Sequence, residues 1–541
     1  FHKIMNGISI IDILVIIFYI LGILFIGLRV ARNQSQSSDS YFLAGRTLKW
    51  PVIGAALFAS NISTVHLVGL AASGFNDGLV WGNFELLAVL TLIVLSLIFA
   101  PFYYRNKIST LPEFLEKRYN SSARTWMAFL ALLGALFMHI GVSLYAGAVV
   151  FEHFFGLNVY LSIFVISLIT TIYTVIGGLQ SVVITETIQT VILIGGAIIL
   201  TVFAILALPD HGINNLATLK NSVKPEQLKL LPSSANTSGL SWQSLVLGYP
   251  VIGIWYWCAD QTIVQRVLGA KTLGDAKLGP LFAAFIKILP VFILVLPGVL
   301  GYVLFKDIIT DANDTFPVLI TQLLPTGLKG LMAAALLAAL MSTIAAALNS
   351  AGTLVSIDIV KRNRPQISDR QEILIGRITA IVVMLIAIAW SPLIAKFNSI
   401  FEAINILLTV ISPPITTVFV LGLFWKRGNY QGAIATFIGG FLLGLVTFLI
   451  DFPIVGETKV ITETLGVPFM MQAWWLFVCS CLIYFVTSLA TPPPDYNKIK
   501  NCTLSSPLAF FKKEEGERLN TPVILASLLI FILTILYITI G

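Results

Sequence analysis

The chain of 541 residues is 57% hydrophobic and 11% charged. A soluble domain carries about a quarter charged residues, so a water-soluble globular protein is excluded. The net charge of +7 sits in loops that flank apolar runs of membrane length, not in a separate basic patch, which excludes a nucleic-acid surface.

Candidate spans, at about 20 residues each, number about fourteen. Phe1-His2-Lys3-Ile4 precede Met5, the expected native start. Ile8–Val30 is too long for a signal-peptide core and reads as a retained helix. Lys49–Gly74 follows. Its centre, Ala59-Ser60-Asn61-Ile62-Ser63-Thr64, puts small polar residues and an amide at membrane depth. Such side chains compete for backbone groups and loosen a helix. Freed backbone is tolerated in the bilayer only against protein or a watery cavity. One reading is a span broken at its midpoint, with carbonyls available to a hard cation. The other is a continuous helix that uses Ser and Asn as packing glue. The stretch alone does not decide between them.

Next come Gly78–Tyr104, Arg124–Phe154, Leu157–Gly177 and Gln180–Leu208, then a polar loop, Pro209–Leu240. Ser241–Leu268, Thr272–Phe305, Gly327–Val360, Glu372–Trp390 and Phe401–Trp425 follow, and Gln431–Ile450, Gln472–Thr487 and Pro522–Ile540 close the chain. Arg29, Arg32, Arg46, Arg105, Lys107, Lys117, Arg118, Arg266, Lys271, Lys361, Arg362, Arg364, Arg370, Lys426 and Arg427 recur at every second loop. Those loops are expected on the cytoplasmic side, with both termini outside. Cys258, Cys479, Cys481 and Cys502 have no metal-ligand spacing, and no structural disulfide is expected.

Membrane carriers often invert a five-helix unit, each copy with a broken helix. A second break is therefore expected five helices after the first, in Ser241–Leu268. Its centre, Gly248-Tyr249-Pro250-Val251-Ile252-Gly253, places a proline between two glycines and so removes a donor and stiffness together.

Ionisable groups within these runs point to a polar cavity. His66 lies one turn past the first break, Glu85 is on the next helix, and Lys287 sits in the apolar run Phe282–Val291. Glu85 and Lys287 could pair, which lowers the cost of burying either. Tyr256-Trp257 offer flat faces with polar edges. Ser342-Thr343 put two hydroxyls within reach of one small ion, although such residues are more commonly packing contacts. Glu186 reads equally as an ion relay or a buried, satisfied carboxylate. Asp260 and Arg266 read as surface or gate residues, and His139 as core. No Walker loop, HExxH, GxSxG or Ser/His/Asp constellation is present, so no enzyme is expected.

Tyr41-Phe42-Leu43-Ala44-Gly45-Arg46, Asn61-Ile62 with His66, and Phe424-Trp425-Lys426-Arg427 with Gly432-Ala433 resemble the solute:sodium symporter family. The run from Trp255-Tyr256-Trp257-Cys258-Ala259-Asp260 to Gln265-Arg266 is similar to its sodium/glucose cotransporter branch. The resemblance implies an all-α integral membrane protein with a LeuT-type 5+5 inverted-repeat core. Residues 1–48 would form a leading helix and loop, 49–425 the ten-helix core, and 426–541 three trailing helices.

By the same resemblance, sodium would bind the Ala59, Ile62 and Ala339 carbonyls and the Ser342 and Thr343 hydroxyls. A glucose- or galactose-like sugar would bind Asn61, His66, Glu85, Tyr256, Trp257, Lys287 and Asn405. Leu70, Phe84 and Phe401 would form the outer gate and Tyr256 the inner one. The branch usually has Gln at Asn405 and Asp at Glu186. Members coupled to a second sodium carry hydroxyls where this chain has Ala345 and Ala346, so one sodium per sugar is expected. The implied protein is a monomer or weak homodimer in the plasma (inner) membrane. Inositol, sialic acid and other organic acids are alternative substrates, and a non-transporting sugar sensor is a further alternative.

Overall fold

The computed structural model describes residues 9–32, 37–155, 158–231, 240–396, 400–451, 460–504 and 520–541, without the side chains of 153–155, 395–396 and 400–406. The elements that matter here are all helical. They are α1 Ile10–Arg32, α2 Trp50–Asn61, α3 Thr64–Asp77, α4 Leu79–Arg105, α5 Ser121–Glu152 and α6 Val159–Leu206, then α7 Ser244–Ala259, α8 Gln261–Leu268, α9 Leu273–Phe305 and α10 Leu328–Lys361. The chain continues through α11 Asp369–Trp390, α12 Ile400–Phe424, α13 Tyr430–Asp451, α14 Phe469–Ala490 and α15 Thr521–Ile540.

Among the described residues, eleven helices are singly long and apolar enough to cross a membrane, and α2 with α3 forms a twelfth span bent by 63°. Two of the fourteen expected spans do not appear as separate helices by that test. The 48 residues of α6 at about 1.5 Å each far exceed a bilayer core of about 30 Å. Gly178, at φ 55° and ψ −162°, interrupts α6 in a backbone region open essentially to glycine. A Cβ there would also lie 2.6 Å from the Tyr41 carbonyl. The break falls between the two spans expected at Leu157–Gly177 and Gln180–Leu208. The remaining span is α7 with α8, which are separated at Asp260.

That separation corrects the expected position of the second break. Gly248 to Gly253 is helical, with Pro250 in the first turn of Tyr249–Ile254, where a missing N–H is tolerated. A wide π turn over Ser244–Gly248 precedes it. Gly248 instead admits a close neighbour, since a Cβ there would meet the Met470 carbonyl at 2.3 Å. The chain leaves the helix at Asp260, with φ −87° and ψ 120°. The Asp260 carboxylate accepts from Thr262 N at 2.9 Å, an N-cap that restarts the helix as α8.

Burial orders the bundle from centre to rim. In its most apolar window α10 is 94% buried, against 28% for α1, α11, α13 and α14 and 17% for α15. The rim carries Phe18, Leu385, Val486 and Ile538 outward, as a lipid-facing surface requires. The broken pair packs along α9, where α3 comes so close that a Cβ on Gly298 would lie 2.0 Å from the Ala71 carbonyl. The leading helix is tied to the centre: Asp12 accepts from Gly327 N and Gly330 N, both at 2.7 Å, at the start of α10. The trailing helices are tied in as well. Tyr537 of α15 donates to Asn83 at 2.6 Å, and the Phe469 ring of α14 stacks on Phe84 at 6.2 Å.

Candidate functional site

The site begins with the backbone at the first break. The last hydrogen bond of α2 runs from Ile62 N to Phe58 O, and Ile62 and Ser63 are extended. Ser63 N donates to His66 Nδ1 at 3.3 Å rather than back to Ala59 O, so His66 caps the break from within α3. The carbonyls this frees take side chains from α10. Ser342 donates to Ala59 O at 2.8 Å and Thr343 to Ser60 O at 3.2 Å. Both hydroxyls also reach Ala339 O, at 3.0 and 3.1 Å. Ala59, Ala339, Ser342 and Thr343 therefore converge, and Ile62 lies buried in the break itself. Ser60 O joins this group although the sequence reading did not include it. Neutral oxygens in a dry setting are donors that suit a hard cation.

Beside this oxygen cluster lies a cavity lined by Asn61, His66, Glu85, Tyr256, Trp257 and Lys287. Six of the seven residues expected to touch the sugar thus share one space. Four of them are linked in a chain. The Lys287 ammonium donates to the Glu85 carboxylate and to Asn61 Oδ1, and Asn61 Nδ2 donates to the Tyr256 hydroxyl at 3.1 Å. The ammonium also lies 5.5 Å from the Trp257 ring centre, within cation–π range. Pro290 explains the position of Lys287. It has no N–H to offer Ile286 O, so α9 loosens into a turn at Lys287 and Ile288 before resuming as a π turn over Val291–Val295.

Leu70 and Phe84 line the cavity at one end. Phe84 lies nearly parallel between Trp81, at 5.7 Å, and Phe469, and Tyr249 donates to its carbonyl at 3.1 Å. Phe401 and Asn405 lie outside the described side chains, and α12 reaches the cavity through Leu408. Outside the cavity lining, Arg266 of α8 donates to Glu186 at 3.2 Å, and Ser60 donates to the same carboxylate at 2.9 Å. Arg266 and Glu186 are fully buried, and Asp260 is buried against His139. A surface position for Asp260 and Arg266 is therefore wrong, and both belong to buried pairs.

Sequence reasoning missed Ser63, His139 and Tyr249 as cavity-lining residues, and Thr343, expected at the sodium site, lines the cavity as well. His139, expected in the core, is carried on a π turn over Gly134–Val142. Tyr256 and Trp257 lie on another, over Trp255–Ala259. Such turns rotate side chains out of the regular helical phase and recur at functional sites.

A model of the sodium:solute symporter family matches residues 41–440. The human sodium/myo-inositol cotransporter is 35% identical over 549 aligned positions, covering 93% of this chain and 76% of that protein. The sodium/glucose cotransporter 1 of Oryctolagus cuniculus is 33% identical over 533 positions, covering 91% and 80%. Among solved structures, a substrate-bound, outward-open sodium-coupled sialic acid symporter superposes with a TM-score of 0.75 at 21% identity, over 90% of this chain and 99% of that one. The fold is thus the LeuT type, in which two five-helix halves each carry a broken helix. The chain belongs to the sodium:solute symporter family, a sodium-coupled carrier of a small solute and not an enzyme.

Proposed function

We propose that the protein accumulates a neutral polyhydroxylated six-membered ring, glucose- or galactose-like, with one sodium ion per molecule. The carrying observation is the chain Glu85–Lys287–Asn61–Tyr256. It offers charge-assisted donors and acceptors while the lysine and the carboxylate cancel each other. A sugar or cyclitol edge, with hydroxyls that donate and accept, complements such a wall, and Trp257 with Tyr256 supplies flat apolar surface for the C–H face. An organic acid would want a cation free of a partner. Among the described residues lining the cavity Lys287 is ion-paired, and Arg124 is engaged away from it with Glu116 and Asp358.

Sodium acts as a co-substrate. It would sit among the Ala59, Ile62 and Ala339 carbonyls and the Ser342 and Thr343 hydroxyls, bridging α2 to α10. An ion shifts a conformational equilibrium only by its preference for one state. Bridging of the two helices would favour the state in which Asn61, one residue before Ile62, faces the sugar. Ala345 and Ala346, which carry no hydroxyl, support a single ion. One charge gains about 2.3 kcal/mol from 100 mV and about 1.4 kcal/mol from a tenfold gradient, which together support roughly 500-fold accumulation of a neutral solute. The membrane is the plasma membrane, with both termini outward by the loop charges.

A second reading, myo-inositol, is favoured by the 35% identity to the human sodium/myo-inositol cotransporter. Uptake of labelled glucose, galactose and myo-inositol in sodium and in choline, with mutual competition, separates the two. Uptake of a carboxylated sugar alone would overturn both.

A further inference from the structure

Arg377 lies two turns into α11, and the proposed topology puts that end of α11 at the cytoplasmic surface. Its Nη2 donates to Ile176 O at 3.3 Å, just before the Gly178 break in α6. The guanidinium lies 5.5 Å from the ring centre of Tyr41, whose hydroxyl donates to Val175 O at 2.8 Å. These neighbours are neutral. Among the described residues no carboxylate pairs with Arg377, and its buried Nε has no acceptor. The acids closest to it in sequence are engaged elsewhere. Asp369 accepts from Ser38 N at 3.1 Å, and Glu372 pairs with Lys361 at 2.7 Å. A cation without a partner at membrane depth is costly, and its presence calls for one.

The surface around Arg377 is amphiphilic. Leu374 and Ile378 of α11 are 55% and 52% exposed, and Ile172 and Ile176 of α6 are 40% and 45% exposed. These two apolar stripes meet at the Arg377–Ile176 bond. Arg370 stands seven residues before Arg377, so it shares that face of α11, exposed and about 10 Å nearer the cytoplasm. We propose that Arg370 and Arg377 hold the phosphate headgroup of an anionic phospholipid of the cytoplasmic leaflet, with an acyl chain along the seam between α6 and α11. A guanidinium fork matches phosphate oxygens in pairs. Basic pockets between spans on the cytoplasmic side suit anionic headgroups, and the apolar stripes favour a lipid over a free anion.

The test uses the purified full chain in neutral detergent, titrated with phosphatidylglycerol, with phosphatidylcholine or with soluble glycerol 3-phosphate. Bound lipid is counted by native mass spectrometry, and the melting temperature is followed alongside. Wild type should hold phosphatidylglycerol roughly tenfold or more tightly than phosphatidylcholine, and should melt higher with it but not with glycerol 3-phosphate. Arg377→Gln should weaken phosphatidylglycerol roughly tenfold or more, and Arg370→Gln about fivefold. Arg377→Gln also loses the bond to Ile176, so its lipid-free melting temperature should fall. Arg370 bonds to no other described residue, so Arg370→Gln should melt as wild type without lipid and separates binding from folding. Equal retention of the two lipids by wild type, unchanged phosphatidylglycerol binding in Arg370→Gln, or equal stabilisation by glycerol 3-phosphate would overturn the proposal.

Discussion

The Ser342 hydroxyl donates to the Ala59 carbonyl at 2.8 Å, joining residues 283 apart in the chain. The contact exists because α2 stops where it does. A continuous helix would have spent that carbonyl on Ser63 N, which bonds to His66 instead. Ser342→Ala should leave the fold intact, since the carbonyl lies beside a polar cavity. In the proposed sodium site it removes one oxygen from the ion's shell, at roughly 1.5–3 kcal/mol, so half-saturating sodium should rise about tenfold to a hundredfold. Sodium activation curves for labelled-solute uptake check this, and superimposable curves would remove the site.

Glu85 and Lys287 form an ion pair with both partners buried. Lys287→Met should leave a buried carboxylate uncompensated and lower stability by about 3–5 kcal/mol. Lys287→Met combined with Glu85→Gln should recover most of that loss and still bind no substrate. Thermal melts of the single and double variants in detergent, with solute binding, separate the two roles.

Glu186 and Arg266 are likewise buried together. If the carboxylate serves chiefly to hold α8 against α6 and Ser60, Arg266→Gln should destabilise strongly and Arg266→Gln with Glu186→Gln much less. The paired neutral variant should keep sodium-coupled uptake at a reduced rate. Loss of coupling with stability restored would assign Glu186 to ion movement instead.

Gly298 meets the Ala71 carbonyl with no room for a methyl group. Gly298→Ala should push α3 off α9 and lower stability by about 1–3 kcal/mol or more. Reduced membrane abundance and a lowered melting temperature, with the neighbouring Val299→Ala as comparison, check this.

One ion per solute predicts one charge moved per neutral molecule. Reversal potentials in vesicles, measured while the solute gradient is varied, should give a ratio of one. A ratio of two would require a second site that Ala345 and Ala346 do not supply.

The first break was open to reading in the sequence because Ser60, Asn61, Ser63 and Thr64 are chemically out of place in a spanning helix. The structure chooses between the two readings through Ser342 and Thr343, whose partners lie far away in the chain. Glu85 and Lys287 were legible for the same reason, as charges that lipid would not tolerate alone. The second break was misplaced because glycine and proline were read as breakers. A π turn absorbs Pro250, and Gly248 serves close packing against Met470. The actual signal was Asp260, an N-cap residue inside an apolar run, which was read as a surface or gate residue. His139 was read as core, and only the structure shows that its π turn also brings it to the cavity wall. The break at Gly178 was legible, as the boundary between the spans expected at Leu157–Gly177 and Gln180–Leu208.

The most direct measurement of the central claim is accumulation of labelled glucose or myo-inositol in proteoliposomes under an inward sodium gradient, repeated with potassium and with choline. Concentrative uptake with sodium alone, abolished in Lys287→Ala and shifted to higher sodium in Ser342→Ala, is the predicted result. Equal accumulation with all three cations would contradict it.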